Sequence, residues 1–106
     1  MPSTKNQRSD QRRSVFAEVS YEYQGVRGQG RVSDLSLGGI CVNTFNPPPE
    51  GSMVSFRFVL PGGSPDMPVT GHGTVIWQKP LQGMGVRFDR LNPVDEARIK
   101  AYLARH

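Results

Sequence analysis

Val15-Phe16-Ala17-Glu18-Val19-Ser20-Tyr21-Glu22-Tyr23-Gln24-Gly25-Val26-Arg27-Gly28-Gln29-Gly30-Arg31-Val32 is the stretch whose reading decides the fold. Ala17, Val19, Tyr21 and Tyr23 alternate with Glu18, Ser20 and Glu22, the period of a strand with one face buried. Gln24-Gly25 supplies a hairpin turn. Val26 to Val32 then reads as the returning strand, weakened by Gly28 and Gly30, which mark a bend where a sheet curls into a barrel.

Further strands follow. Ile40-Cys41-Val42 reads as a short buried strand, with Cys41 as a small core residue rather than a nucleophile. Asn46-Pro47-Pro48-Pro49-Glu50-Gly51 cannot pair in a sheet, because proline has no N–H to donate, and makes a stiff loop. Val54, Phe56, Phe58 and Leu60 alternate with Ser55, Arg57 and Val59. Pro61-Gly62-Gly63-Ser64-Pro65 turns the chain again, and residues 69–77 and 83–88 complete a set of six strands. The last element differs in kind. Asn92 is placed to cap a helix with Pro93 at its first position, Asp95 and Glu96 suit the positive end of the dipole, and Ile99, Tyr102 and Leu103 form an apolar stripe. Six short strands and one terminal helix over about residues 92–105 predict a mainly β protein, a small antiparallel barrel with a helical lid or plug.

The chain has 106 residues, enough for one domain. Its net charge of +4 is unevenly placed: Lys5, Arg8, Arg12 and Arg13 stand against Asp10 alone in residues 1–14, and the remainder is nearly neutral. A DNA-binding domain more often spreads its cations over a folded face, so no specific DNA binding is expected and a small or local anionic partner fits better. Residues 1–14 are polar and nearly free of aliphatic side chains, too few to offset the entropy of ordering them, and read as a flexible basic tail ahead of a domain over 15–106. With Cys41 as the single cysteine no internal disulfide is possible, which fits a reducing compartment. No apolar run is long enough to span a bilayer, and no apolar core follows the N-terminal basic residue as a secretory signal requires. A soluble, cytoplasmic protein is expected.

Two segments carry chemistry. Arg8-Ser9-Asp10-Gln11-Arg12-Arg13 gathers guanidinium groups, planar forks of donors suited to phosphate oxygens and to the O6/N7 edge of guanine. Asp34-Leu35-Ser36-Leu37-Gly38-Gly39 is a turn with a carboxylate, a hydroxyl and paired glycines; a carboxylate accepts from the N1–H and N2–H₂ edge of the same base. Taken singly, each has a plain alternative: a solvated tail for the first, and an Asx- or Ser-stabilised turn, with Gly38-Gly39 permitting positive φ, for the second. His72 and His106 are isolated, no cysteine pair offers metal spacing and no acid–base pair stands out, so a non-enzyme without metal or cofactor is expected.

Together the two segments resemble the PilZ family, bacterial receptors for the second messenger cyclic di-GMP, marked by R-x-x-x-R and then (D/N)-x-S-x-x-G. Here these are Arg8…Arg12 and Asp34-Leu35-Ser36-Leu37-Gly38-Gly39, with Val75-Ile76-Trp77 and the G-x-G-V-x-F strand Gly83-Met84-Gly85-Val86-Arg87-Phe88 in support. Where members often carry apolar or proline residues inside the arginine motif, this chain has Ser9-Asp10-Gln11. The resemblance implies a six-stranded antiparallel barrel with the arginine segment folded over its outer surface. It implies that Arg8 and Arg12 contact guanine edges and phosphates, and that Arg13 adds a phosphate contact or stacks on a base. Asp34 would take the guanine N1/N2 donors, Ser36 would bond to base or phosphate, Gly38-Gly39 would admit the ligand, and Trp77 would offer an aromatic face. Binding would order the tail and change the surface shown to a downstream protein partner. Two other readings stay open here: a PilZ-like module that docks a protein without nucleotide, and a small barrel binding single-stranded nucleic acid.

Overall fold

The computed structural model describes residues 12–105. Six strands run in sequence: β1 (Arg12–Tyr23), β2 (Val26–Ser36), β3 (Gly39–Asn43), β4 (Met53–Phe58), β5 (Val69–Lys79) and β6 (Gly83–Leu91); one helix, α1 (Pro93–Arg105), follows. The strands close into a barrel in the order β1-β2-β3-β6-β5-β4, every pairing antiparallel. Closure gives every strand a partner on both sides over part of its length, so no strand lies wholly at an open edge.

The alternation read in the first hairpin holds. Ala17, Val19 and Tyr21 are buried, Glu18, Ser20 and Glu22 are exposed, and Gln24 and Gly25 both take positive φ in the turn. β2 pairs with β1 through Gly28 and Gly30 and runs on to Ser36, so Asp34 and Ser36 end a strand and the turn itself is Leu37-Gly38. β1 also starts early. Arg12, Arg13 and Ser14 pair with Ser36, Leu35 and Asp34, where the sequence reading had a tail up to residue 14; the rest of that tail, Arg8 included, lies outside the described residues. The alternation had no apolar residue before Val15 to report this, because those three pairs are made by backbone groups.

The barrel is filled by side chains of every strand, among them Val32, Leu35, Val42, Phe56, Val75 and Met84. Phe56 meets Phe88 with ring centroids 5.2 Å apart. Ile99 and Leu103 of α1 belong to the same core, so the helix closes the barrel as the apolar stripe required. Its start is held as expected, with the Asn92 side-chain oxygen accepting from the Val94 N–H at 2.9 Å. Asp95 does more than face a dipole. It is buried, accepts from the Thr70 N–H at 3.3 Å and pairs with Arg98 at 2.8 Å, tying α1 to β5. At the other end Arg13 Nη2 donates to the Leu103 carbonyl at 3.3 Å, a cation on the negative end of the helix.

Because Ile99 is fully buried between helix and barrel, Ile99→Ala is expected to lower stability by about 2–5 kcal/mol in urea unfolding. Val94→Ala, at a position 62% exposed on the same helix, is expected to stay within about 0.5 kcal/mol.

Candidate functional site

Alternation sends consecutive residues of a strand to opposite sides, and it divides the arginine pair. Arg13 turns to the end of α1. Arg12 lines a cleft of about 190 Å³ on the outer surface, which runs from the start of β1 across β3 and β6 to β5. Its guanidinium Nη1 lies 3.6 Å from Cys41 Sγ. Cys41 is accordingly half-buried and part of the cleft wall, not the core residue expected.

The far wall of the cleft depends on a bulge. In β5, Val69, Gly73 and Val75 are buried, so continued alternation would send Trp77 inward too. Instead the register with β6 shifts: Val75 stands opposite Val86 and Trp77 opposite Gly85, leaving Ile76 as the extra residue. The shift turns Trp77 outward, 40% exposed, over Gly85. A Cβ on Gly85 would lie 2.2 Å from the indole Nε1, so only glycine lets the ring rest on the strand. The result is an aromatic surface on the same cleft as Arg12.

The turn between β2 and β3 forms the end of the cleft. Ser36 is 3% exposed and its hydroxyl is committed locally: it accepts from the Gly38 and Gly39 N–H groups at 3.1 and 3.2 Å. Ser36 therefore shapes the turn. Neither Gly38 nor Gly39 has positive φ; among the described glycines that conformation belongs to Gly25, Gly51 and Gly62. Gly39 is required for another reason. A Cβ there would lie 2.2 Å from the Val86 carbonyl oxygen, so its missing side chain admits the β6 backbone. Around Gly38 the nearest atom to a Cβ would be Ser36 Oγ at 3.9 Å.

Of the residues singled out in the sequence, Arg12, Ser36, Gly38, Gly39 and Trp77 meet at this cleft. Asp34 stands one strand away, opposite Cys41 in the β2–β3 register, and its carboxylate has no hydrogen-bond partner among the described residues. Arg13 does not join them. Arg87, which the sequence did not single out, and Cys41, expected in the core, do. Arg87 Nε pairs with Asp89 Oδ1 at 3.2 Å, and Thr74 Oγ1 donates to Asp89 Oδ2. The Thr74 hydrogen bond is the main cause that holds the Asp89 carboxyl below its ordinary value; desolvation opposes it, and the hydrogen bond and charge of Arg87 add to the lowering. A larger depression of about 760 Å³ lies elsewhere, between the exposed Phe45 and Leu81 and lined also by Glu18, Arg31 and Arg57; no motif residue reaches it. Among the described residues no group of three or more His, Cys, Asp or Glu is placed to hold a metal ion, and no helix is long and apolar enough to cross a membrane.

The fold is a closed six-stranded barrel with an arginine and an aromatic ring on one outer cleft. Its family follows from the sequence: the PilZ domain model matches residues 6–105, and the chain belongs to the PilZ domain family. Two solved structures share the fold. The Bacillus subtilis inhibitor of motility (MotI/DgrA) superposes with a TM-score of 0.76 at 16% identity over 91% of this chain and 49% of that one. The PilZ domain of CeSA from a cellulose-synthesizing bacterium gives 0.64 at 19% identity over 90% of this chain and 98% of that one. The chain thus spans about half the length of the motility inhibitor. No curated protein matches its sequence.

Gly39→Ala is expected to destabilise the barrel by about 1–3 kcal/mol, since the clash is with backbone. Gly38→Ala should leave the urea midpoint nearly unchanged, because the space beside it is open.

Proposed function

We propose that this chain is a receptor for cyclic di-GMP and that the ligand occupies the cleft between Arg12 and Trp77. The observation that carries the reading is their convergence: a guanidinium from the start of β1 and an indole re-aimed by the β5 bulge line one outer cleft, beside a turn fixed by Ser36. The chemistry suits an anionic purine dinucleotide. A base stacks on the Trp77 ring, a contact worth about 1–3 kcal/mol per base in nucleic-acid sites. Arg12 donates to a phosphate or to the O6/N7 edge of guanine. Asp34 accepts from the guanine N1–H and N2–H₂ groups, and Ser36 acts through the turn it holds. Arg8 adds a second cation from the segment outside the described residues.

In this reading the protein performs no reaction. Binding orders the N-terminal arginine segment over the barrel, covers positive charge, and alters the surface offered to a downstream protein. Ordering that segment costs conformational entropy, which lowers the net affinity below what the contacts alone would provide. A second reading, a module that docks a protein without nucleotide, draws on the groove between Phe45 and Leu81, which is exposed, partly apolar and separate from both motifs.

Calorimetric titration separates the two. Cyclic di-GMP is expected to bind and linear GMP to bind far more weakly, with Arg12→Ala and Asp34→Ala each costing roughly 1–3 kcal/mol. Absence of heat from the unmodified protein at high micromolar cyclic di-GMP would leave the docking module as the better account.

A further inference from the structure

Arg87 lies outside both sequence motifs, yet its side chain lines the same cleft as Arg12 and Trp77. Three features separate it from an ordinary surface cation. First, an ion pair orients it, with 58% of the side chain exposed. Nε donates to Asp89 Oδ1 at 3.2 Å, and Asp89 is held in turn by Thr74 Oγ1 from the neighbouring strand. Second, the restraint uses only Nε. Among the described residues no partner takes Nη1 or Nη2, so the two terminal nitrogens remain as a paired donor edge. Third, Arg87 and Gly85 are alternate residues of β6 and share its outer face, and the Trp77 indole rests on Gly85. Alternate residues of a strand lie about 6.5–7 Å apart, so a purine stacked on the indole would bring its edge toward Arg87.

We propose that Arg87 is a base-reading residue of the nucleotide site, donating through Nη1 and Nη2 to the O6/N7 edge of the guanine that stacks on Trp77. Asp89 is its positioning residue. The inference rests on the cyclic di-GMP reading above and adds to it the contact that selects guanine. A phosphate contact needs charge in roughly the right place, whereas reading a base edge needs a guanidinium of fixed orientation. The Asp89–Thr74 restraint supplies that orientation.

The test pairs a protein change with a ligand change. Trp77 is the only tryptophan of the chain, so its fluorescence reports binding at this cleft. Cyclic di-GMP and its 7-deazaguanine analogue, which lacks the N7 acceptor, are titrated into the unmodified protein, Arg87→Ala, Arg87→Lys and Asp89→Asn. Arg87→Ala is expected to weaken cyclic di-GMP binding roughly ten- to hundredfold. Arg87→Lys should not restore it, because an ammonium cannot present the paired donors, and Asp89→Asn should lose part of the affinity. The deaza substitution should weaken binding to the unmodified protein and cost much less in Arg87→Ala, since the partner of N7 has already gone.

If Arg87→Ala binds as the unmodified protein does while Arg12→Ala is weakened, Arg87 is a surface ion pair and only this inference falls. An equal deaza penalty with and without Arg87, or full rescue by lysine, makes it a phosphate contact and overturns the base-reading role. If the unmodified protein binds no cyclic di-GMP, this inference falls together with the reading it rests on.

Discussion

The seam between β3 and β6 is the constraint on which the rest depends. At Gly39 a Cβ would meet the Val86 carbonyl oxygen, and at Gly85 it would meet the Trp77 indole. The first absence lets the β6 backbone come close enough for β3 to pair with it, and that pairing closes the barrel. The second provides the seat for the aromatic ring. One side-chain-poor strip therefore completes the hydrogen-bond ladder on its backbone and forms the floor of the cleft on its outer face. Fold and candidate site share the same atoms.

Two strand irregularities then decide what faces that floor. The bulge at Ile76 moves Trp77 from the inward series of Val75 to the outer surface. A second register shift, between His72 and Gly73, leaves Asp89 of β6 as the extra residue, where it bonds both Thr74 and Arg87. On the opposite wall β1 shifts register against β2 between Ser14 and Ala17; before that shift, neighbouring residues go to opposite sides, Arg12 to the cleft and Arg13 to the Leu103 carbonyl. The site residues thus come from strands whose long-range pairings are set by the core.

The strands, the turn at Gln24-Gly25, the proline loop and the capped helix were legible because each follows from local chemistry: alternation, positive φ, a missing N–H, an Asn side chain. The bulge at Ile76 was not, since Val75-Ile76-Trp77 reads as an unbroken apolar run and only the pairing with Gly85 shows the slip. For the same reason the reading treated Cys41 as core and passed over Arg87. Each sits on the outer face of its strand, which becomes a cleft wall only after β3 and β6 meet. Ser36 illustrates a different gap. Its place in the motif was readable, but the direction of its hydroxyl depends on where the Gly38 and Gly39 N–H groups point. The one usable clue was Gly85: a glycine inside a strand marks close approach by another group, and that group is Trp77.

The most direct measurement is a crystal structure of the protein grown with cyclic di-GMP. The account predicts a guanine lying against the Trp77 ring, with the Arg12 guanidinium on the ligand and the turn at Gly38-Gly39 beside it. Density for the nucleotide in the groove between Phe45 and Leu81, with the Trp77 face left bare, would contradict it.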